Sequence, residues 1–207
     1  MSTLSAPVEM LHYRLRLLLI RHGQTDYNCD RRFFSITDVP LNADGEAEVR
    51  ELGERIGDIQ VGHVYSSYSK RAEVTAQILN EYWSSDMAFE ELLAEQYYGS
   101  WEGLSMKHLE ETVPGELEDW FMGRLEAPPG GESLGAVRQR AELMLSKVET
   151  AHTEETIAIV SHGGLLQAMV CVLLDATLRN FWPFRFRNAG VADVRLYEWG
   201  AVLESLA

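Results

Sequence analysis

The sequence LRLLLIRHGQT at residues 15–25 decides the fold. Its first six residues form a short, nearly continuous apolar run, which predicts a β-strand buried on both faces, as in a parallel sheet. The polar residues Arg21 and His22 follow immediately. Because ligands of doubly wound sheets bind beyond the carboxyl ends of the strands, we expect these two side chains to face a functional site.

The remainder of the chain alternates between strand and helix patterns. Helix patterns place apolar residues three and four positions apart, whereas strand patterns are short apolar runs. We predict strands at residues 15–20, 61–65, 88–92, 156–160, 191–198 and 202–206, and helices at 43–59, 72–83, 133–151 and 164–174. The alternation predicts an α/β fold with a mostly parallel sheet covered on both faces, and the last two strands predict an antiparallel edge hairpin.

Residues 96–133 interrupt this alternation. They are rich in glycine and proline around two short helical stretches, which predicts a helical insertion over one end of the sheet. We interpret the whole chain, residues 1–207, as one domain, because its length suits a single hydrophobic core.

Composition excludes several classes of protein. The chain has 18 Lys and Arg residues against 32 Asp and Glu residues, a formal net charge of −14. This charge argues against nucleic acid or an anionic membrane as a partner, because both require a basic surface. Two cysteines cannot form a disulfide framework, and no stretch resembles a signal peptide or a membrane helix. We therefore expect a cytoplasmic protein; its oligomeric state is left open, with a homodimer among the alternatives.

Four predicted strand ends carry a small set of polar residues. Arg21 and His22 follow the first strand, Arg71 the second, Glu95 the third and His162 the fourth. Taken singly, each has an ordinary alternative as a core histidine or a solvated charge. Together they predict an anion site, because guanidinium groups bind phosphoryl oxygens, a neutral imidazole can attack phosphorus, and a carboxyl group can transfer a proton. The six histidines lack the spacing of zinc sites, and two arginines would repel a cation, so we expect no metal.

The order of these motifs resembles that of the histidine phosphatase superfamily, also called the phosphoglycerate mutase-like family. The matching segments span residues 17–194. They are RHGQT at 21–25, YSS at 65–67 with Arg71, Glu95 with YGSWEG at 98–103, PGGES at 129–133 and SHGG at 161–164. The resemblance implies a three-layer α/β/α sandwich that acts on a small phosphoester without a metal or a cofactor.

The resemblance also implies roles for individual residues. His22 would be the nucleophile that becomes phosphorylated, and Glu95 would be the proton donor. The residues that would hold the phosphoryl oxygens are Arg21, Arg71 and His162. The residues that would bind the substrate are Asn28, Arg32, Phe34, Ser35, Tyr98 and Gly163.

The family contains phosphatases, which transfer the phosphoryl group to water, and mutases, which return it to a sugar acid. The mutases resemble one another in a lysine eleven residues after the acid and in an arginine pair in the following segment. Here Met106 stands at the position of that lysine, and residues 107–131 contain a single arginine, Arg124, instead of a pair. These differences favour a phosphomonoesterase over the alternative, a phosphoglycerate mutase-type phosphotransferase. A non-enzymatic binding protein is a third alternative, which the complete set of polar residues disfavours.

Two residues depart from the family's pattern at the expected mouth of the site. Phe34 stands where glutamine is common and Ser35 where glycine is usual, so the pocket wall is altered. The neighbouring aromatic residues are Phe33, Tyr97, Tyr98, Trp101, Trp120 and Phe121. Part of this set is expected to pack as local core, and the rest favours a bulky leaving group. The short bacterial phosphatases that the chain resembles in size include α-ribazole phosphatases, phosphoserine phosphatases and broad-specificity enzymes. Its length and the segment Phe184-Arg185-Phe186 before the last strands favour the first of these.

Overall fold

The computed structural model describes residues 12–177 and 181–207. Within these ranges the strands are β1 (Leu15–Arg21), β2 (His63–Ser66), β3 (Asp86–Phe89), β4 (Glu155–Ser161), β5 (Val191–Tyr197) and β6 (Gly200–Leu206). The helices are α1 (Asp26–Cys29), α2 (Ala43–Ile56), α3 (Lys70–Trp83), α4 (Met106–Thr112), α5 (Pro114–Phe121), α6 (Leu134–Ala151) and α7 (Gly163–Leu173). None of the helices in the described ranges is long and apolar enough to cross a membrane.

The strands form one sheet in the order β3-β2-β4-β1-β5-β6. Its first four strands run parallel, with β1 paired to β4 and β2 paired to both β3 and β4. β5 runs antiparallel to β1, and β6 runs antiparallel to β5. The predicted α/β fold, with a mostly parallel sheet and an antiparallel edge hairpin, is confirmed.

Two predicted elements end three residues later than the observed ones. The third strand covers Asp86–Phe89 instead of residues 88–92, because its only neighbour, β2, ends beside it. The chain then forms a single 3₁₀ turn at Glu91–Leu93. Helix α2 ends at Ile56, so Ile59, which continued the apolar periodicity, lies beyond the helix.

Strand β1 is buried on both faces, as its apolar run predicts. Leu17 and Leu19 belong to a hydrophobic cluster with α6 and α7, whereas Leu18 and Ile20 belong to a second cluster with α2 and α3. All four residues are at most 1% exposed. Each such burial contributes about 1.5–3 kcal/mol to the hydrophobic stabilisation of the fold. The two clusters are the two interfaces of the three-layer α/β/α sandwich.

Helix α2 packs closely against the loop that follows β1. Asn42 caps the helix, its side-chain oxygen accepting a hydrogen bond from the amide of Gly45 at 2.8 Å. A Cβ atom on Gly45 would lie 2.1 Å from the carbonyl oxygen of Gln24, and one on Gly23 would lie 2.4 Å from the carbonyl oxygen of Gly45. Only residues without a side chain permit this approach, which fixes the loop that carries His22.

Residues 96–133 form the insertion that the sequence predicts, with a 3₁₀ turn at Gly99–Trp101 and helices α4 and α5. Trp101 and Trp120 are buried in it and pack edge to face, with ring centroids 6.2 Å apart. Both belong to the same hydrophobic cluster as Leu17 of β1. These two aromatics therefore serve as local core and join the insertion to the sheet, while one domain over residues 1–207 stays a prediction.

Candidate active site

Strand pairing brings the two predicted site histidines together. In the parallel register of β1 and β4, Arg21 lies opposite Ser161, and the amide of His22 donates to the carbonyl oxygen of Ser161 at 3.0 Å. Since His162 follows Ser161 directly, the centroids of the two imidazole rings lie 5.2 Å apart. Both histidines are almost completely buried. Two motifs far apart in the sequence thus form one site.

His22 is held with one ring nitrogen free. Its Nδ1 lies 2.7 Å from the carbonyl oxygen of Gly23, and because a carbonyl oxygen only accepts, Nδ1 carries the proton. Nε2 therefore keeps its lone pair. Burial, reinforced by the charges of Arg21 and Arg71, lowers the pKa of His22 well below its usual value. The imidazole is neutral at neutral pH, the state in which it can act as a nucleophile.

His162 has one ring nitrogen near serine hydroxyls and one that is unsatisfied. Its Nε2 lies 3.0 Å from Ser67 Oγ and 3.4 Å from Ser69 Oγ. Its Nδ1 is buried and has no hydrogen-bond partner among the described residues. Burial, followed by the charge of Arg71, lowers the pKa of His162 well below its usual value. Leaving a buried nitrogen unsatisfied costs free energy that a hydrogen bond to a ligand would recover.

Arg21 and Arg71 bring positive charge to the same region. Arg21 Nη1 donates to the carbonyl oxygen of Phe186 at 2.8 Å, and Arg71 donates to those of Ser35 and Thr37 at 3.1 and 3.3 Å. The Nε of each is buried without a partner among the described residues. Burial lowers the pKa of Arg71 to about 10, so its side chain remains charged at neutral pH. Because both guanidinium groups donate hydrogen bonds to neutral carbonyl oxygens, a bound anion would stabilise their charges further.

Glu95 is positioned by the amino-terminal end of α7. Its Oε2 accepts from the amide of Gly164 at 3.2 Å, and its Oε1 accepts from the amide of Gln96 at 2.9 Å. A Cβ atom on Gly164 would lie only 2.5 Å from Oε1, so a side chain there would displace the carboxyl group of Glu95. The sequence analysis singled out Gly163, but a Cβ atom there would find its nearest neighbour 3.6 Å away, on Arg21. Gly164 is therefore the more constrained of the two glycines.

Two cavities adjoin these residues and share Glu95. The larger has a volume of about 540 Å³ and is lined by Arg21 and His22. Four of the predicted substrate-binding residues also line it: Asn28, Arg32, Phe34 and Tyr98. The smaller, of about 420 Å³, is lined by His162 and by the predicted residue Ser35. Arg71 and Gly163 line neither of these two cavities.

Phe34 separates Arg71 from the larger cavity. Its ring centroid lies 4.5 Å from Cζ of Arg71 and 6.4 Å from the ring of His22, and the residue is 6% exposed. The face of the Arg71 guanidinium is thus covered, and its two Nη atoms already donate to carbonyl oxygens. The contact between Arg71 and a phosphoryl group that the resemblance implies stays a prediction.

Asn28 and Tyr98 are arranged as hydrogen-bond donors in the larger cavity. Asn28 Oδ1 accepts from the amide of Thr25 at 3.0 Å and from Nδ2 of Asn188 at 2.9 Å. These two bonds fix the orientation of the Asn28 side chain and leave its Nδ2 as the donor. Burial, followed by the negative charge of Glu95, raises the pKa of Tyr98 well above its usual value. Tyr98 therefore keeps its hydroxyl proton.

Three polar residues that line the larger cavity were not among the predicted site residues: Arg31, Arg185 and Asn188. Asn188 Nδ2 lies within hydrogen-bonding distance of the carbonyl oxygens of His22 and Gly23, at 3.4 and 3.3 Å. The antiparallel edge hairpin could have indicated these residues. Because β5 runs antiparallel to β1, its start lies beside the end of β1, where Val191 pairs with Ile20. Asn188 precedes a strand instead of following one, so the prediction from strand ends missed it.

The chain matches known proteins over most of its length. The family model "Histidine phosphatase superfamily (branch 1)" matches residues 17–207. Phosphoserine phosphatase 1 of Hydrogenobacter thermophilus is 29% identical over 189 residues, covering 89% of this chain and 88% of that protein. Glucosyl-3-phosphoglycerate phosphatase of Mycobacterium tuberculosis is 34% identical over 176 residues, covering 81% and 78%. The structure of the α-ribazole phosphatase from Shigella flexneri superimposes with a TM-score of 0.82 at 27% identity, covering 92% and 95%. Fold, site and sequence similarity agree: the chain belongs to the histidine phosphatase superfamily.

Proposed function

We propose that this chain is a phosphomonoesterase that hydrolyses a small phosphorylated metabolite through a covalent phosphohistidine on His22. The superfamily and the phosphatases among its relatives give the reaction class: the enzyme hydrolyses phosphate esters. One observation carries the finer proposal. The neutral His22 keeps a free Nε2 in a cavity that is also lined by Arg21, whose Nε atom lacks a partner among the described residues.

In the first step, the lone pair of His22 Nε2 attacks the phosphorus atom of the ester. The N–P bond forms as the P–O bond to the leaving alcohol breaks, and protonated Glu95 supplies the proton that the leaving oxygen needs. We expect Arg21, which lines the same cavity, and His162, whose Nδ1 has no partner among the described residues, to donate to the phosphoryl oxygens. Most of the rate acceleration then comes from positioning and charge stabilisation, as in phosphoryl transfer generally.

In the second step, a water molecule replaces the alcohol. Glu95, now ionised, accepts a proton from the water while its oxygen attacks phosphorus, and the N–P bond breaks to give inorganic phosphate and free His22. Glu95 thereby returns to its protonated form. The amides of Gln96 and Gly164 hold both of its oxygens in place through the cycle.

The insertion favours transfer to water over transfer to a sugar acid. Met106, at the position of the mutase lysine, lines the larger cavity. Arg124 is paired with Glu118 and Asp119, at 3.1 and 2.6 Å, and does not line that cavity. The groups that bind the substrate carboxylate in the mutases therefore have no counterpart at these positions.

Substrate and location remain parts of the proposal. The three named relatives act, by their names, on three different phosphoesters, so they give no preference to an α-ribazole-type substrate. A cytoplasmic location is supported by two free cysteines, Cys29 and Cys171. Among the residues described, no group of three or more His, Cys, Asp or Glu side chains is placed to hold a metal ion.

The test is capture of the phosphoenzyme. The wild-type protein, mixed briefly with p-nitrophenyl phosphate and quenched in alkali, should gain the mass of one phosphoryl group, and acid should release it, as expected of a phosphohistidine. His22→Ala should show neither the mass gain nor turnover, with a loss of kcat of at least about 10⁴-fold. His108→Ala, an exposed position on α4, serves as the matched control. A phosphoryl group found on His22→Ala would overturn the assignment.

A further inference from the structure

Two arginines that line the larger cavity take no part in the proposed mechanism. Arg31 and Arg185 line it together with His22, and both are exposed. Within residues 12–177 and 181–207, the guanidinium group of neither residue forms a hydrogen bond, an ion pair or a ring contact. We call the three exposed arginines of this cavity, Arg31, Arg32 and Arg185, the rim.

The third arginine of the rim shows what an occupied side chain looks like. Arg32 Nε donates to Asp30 at 3.0 Å, and its Nη1 donates to the carbonyl oxygen of Gly103 at 2.9 Å. Its Cζ also lies 5.3 Å from the ring centroid of Tyr27. Arg32 therefore braces the cavity wall, whereas Arg31 and Arg185 keep their donors available.

The backbone fixes the position from which Arg31 extends. Its φ is 52°, in the left-handed region that arginine rarely adopts. Its amide donates to the carbonyl oxygen of Asn28 at 3.1 Å, and its own carbonyl oxygen accepts from the amide of Met106 at 2.9 Å. The residue is thus tied both to Asn28 of the site and to the first turn of α4, and a backbone of this kind is often found at ligand-binding positions.

Arg185 is connected to the site through its neighbour. Phe186 is buried and its carbonyl oxygen accepts from Arg21 at 2.8 Å, so the segment that carries Arg185 is held against the phosphate end of the cavity. Arg21 and Arg185 then approach the same space from its inner and outer sides.

The charge balance of the cavity is the reverse of that of the whole chain. Four arginines line it against a single carboxylate, Glu95, in a protein with a net charge of −14. One phosphoryl group, held at His22 and Arg21, leaves the two free guanidinium groups of the rim without an anion. Guanidinium groups bind carboxylates and phosphates through paired hydrogen bonds, so the rim suits a second anionic group.

We propose that Arg31 and Arg185 bind a second anionic group, carboxylate or phosphate, on the leaving alcohol of the substrate. This inference rests on the proposed function, since it describes the ester whose phosphoryl group His22 receives. It replaces the expectation of a merely bulky leaving group by a charged one. The lysine and arginine pair that serve the substrate carboxylate in mutases are absent, and the rim supplies positive charge from other loops.

The experiment compares esters that differ only in the second anion. 3-Phosphoglycerate and glycerol 3-phosphate differ by a carboxylate in place of an alcohol, and fructose 1,6-bisphosphate and fructose 6-phosphate differ by one phosphoryl group. In at least one pair, the wild type should have the higher kcat/KM on the ester that carries the second anionic group. The pair that shows this preference identifies the anion as carboxylate or phosphate. Arg31→Gln and Arg185→Gln should each lose about tenfold to a hundredfold on that ester, and less than about threefold on its partner.

Two controls separate this inference from the proposed function and from misfolding. Arg187→Gln removes the same charge from an exposed neighbour that does not line the cavity, and it should match the wild type on every ester. Turnover of p-nitrophenyl phosphate, which has no second anion, and an unchanged Tm show that each variant is folded. Two results would overturn the inference alone. In the first, the wild type hydrolyses p-nitrophenyl phosphate but does not favour the ester with the second anionic group in either pair. In the second, the variants lose kcat/KM equally on both members of a pair. No turnover of any ester would instead overturn the proposed function.

Discussion

The inner site and the rim are built in different ways. The inner residues Arg21, His22 and His162 follow the neighbouring strands β1 and β4, whose register sets their separation and whose burial excludes water. The rim residues Arg31 and Arg185 stand on exposed loops. Inner groups that lack a partner are buried, so the free energy that their burial costs is recovered only when the reacting phosphoryl group binds. The rim arginines are solvated, so they pay no such cost and can bind any anion that reaches them. The difference separates the chemistry from the choice of substrate.

The sharpest way to break this comparison is Glu95→Gln. The amide oxygen of glutamine can still accept a hydrogen bond from Gly164, but the side chain cannot supply a proton to the leaving oxygen. For glycerol 3-phosphate we expect kcat to fall by about 10²–10⁴-fold, because proton transfer contributes that much in general acid catalysis. For p-nitrophenyl phosphate, whose leaving group is stable as an anion, we expect less than about a tenfold loss.

Steady-state kinetics on the two esters measures this difference. Glu110→Gln, which removes the same charge from an exposed position on α4, is the matched control and should retain wild-type rates. Equal losses on both esters would show that Glu95 holds the site together without transferring a proton.

The inner site was largely predictable because each of its residues follows a short apolar run. In strand β1, four consecutive apolar residues end at Arg21, and the same pattern precedes His162, so the polar residues mark the sheet's carboxyl edge without any knowledge of the packing. The third strand shows the limit. Its end depends on where its partner stops, which the sequence of the strand itself does not contain, so the boundary was wrong although Glu95 was placed correctly.

Two features of the site could not be predicted in this way. Asn188 reaches the site only because β5 pairs antiparallel with β1, and the covering of Arg71 by Phe34 depends on the path of residues 33–37. Both are properties of loops packed against a distant part of the chain, and no periodicity in the sequence encodes them.

A smaller effect is expected where the fold positions the chemistry without taking part in it. In Gly164→Ala, the new methyl group would lie 2.5 Å from Oε1 of Glu95, too close for contact, so the carboxyl group must move. We expect kcat for glycerol 3-phosphate to fall by about tenfold to a hundredfold, with a smaller change in KM, because misplacement of a catalytic group by about 1 Å costs that much. The loss on p-nitrophenyl phosphate should again be smaller.

Gly135→Ala is the control for this substitution, since a Cβ atom on Gly135 in α6 would find its nearest neighbour at 3.7 Å. It should retain wild-type kinetics. If Gly164→Ala kept the wild-type rate on glycerol 3-phosphate, the position of Glu95 would be less important than its contacts with Gln96 and Gly164 suggest.

The smallest expected effect is a loss of folding stability in acid, which arises because the folded chain keeps His22 neutral. The fold lowers the pKa of His22 well below its usual value. Below about pH 6.5 the unfolded chain therefore takes up a proton at His22 that the folded chain does not, and folding becomes less favourable as the pH falls toward the folded pKa. Above that pH the two states bind the same number of protons at His22, and no penalty remains.

His22→Asn removes this proton while its amide group can still donate to the carbonyl oxygen of Gly23. The difference in the free energy of unfolding between wild type and variant should change by up to about 1.4 kcal/mol per pH unit below pH 6.5, with the wild type losing more. Urea unfolding at several values between about pH 5 and 8 measures it. Arg31→Gln should run parallel to the wild type, because it leaves His22 in place. If His22→Asn also ran parallel to the wild type, His22 would take up its proton equally in the folded and unfolded chains, and the inner site would not hold the imidazole neutral in acid.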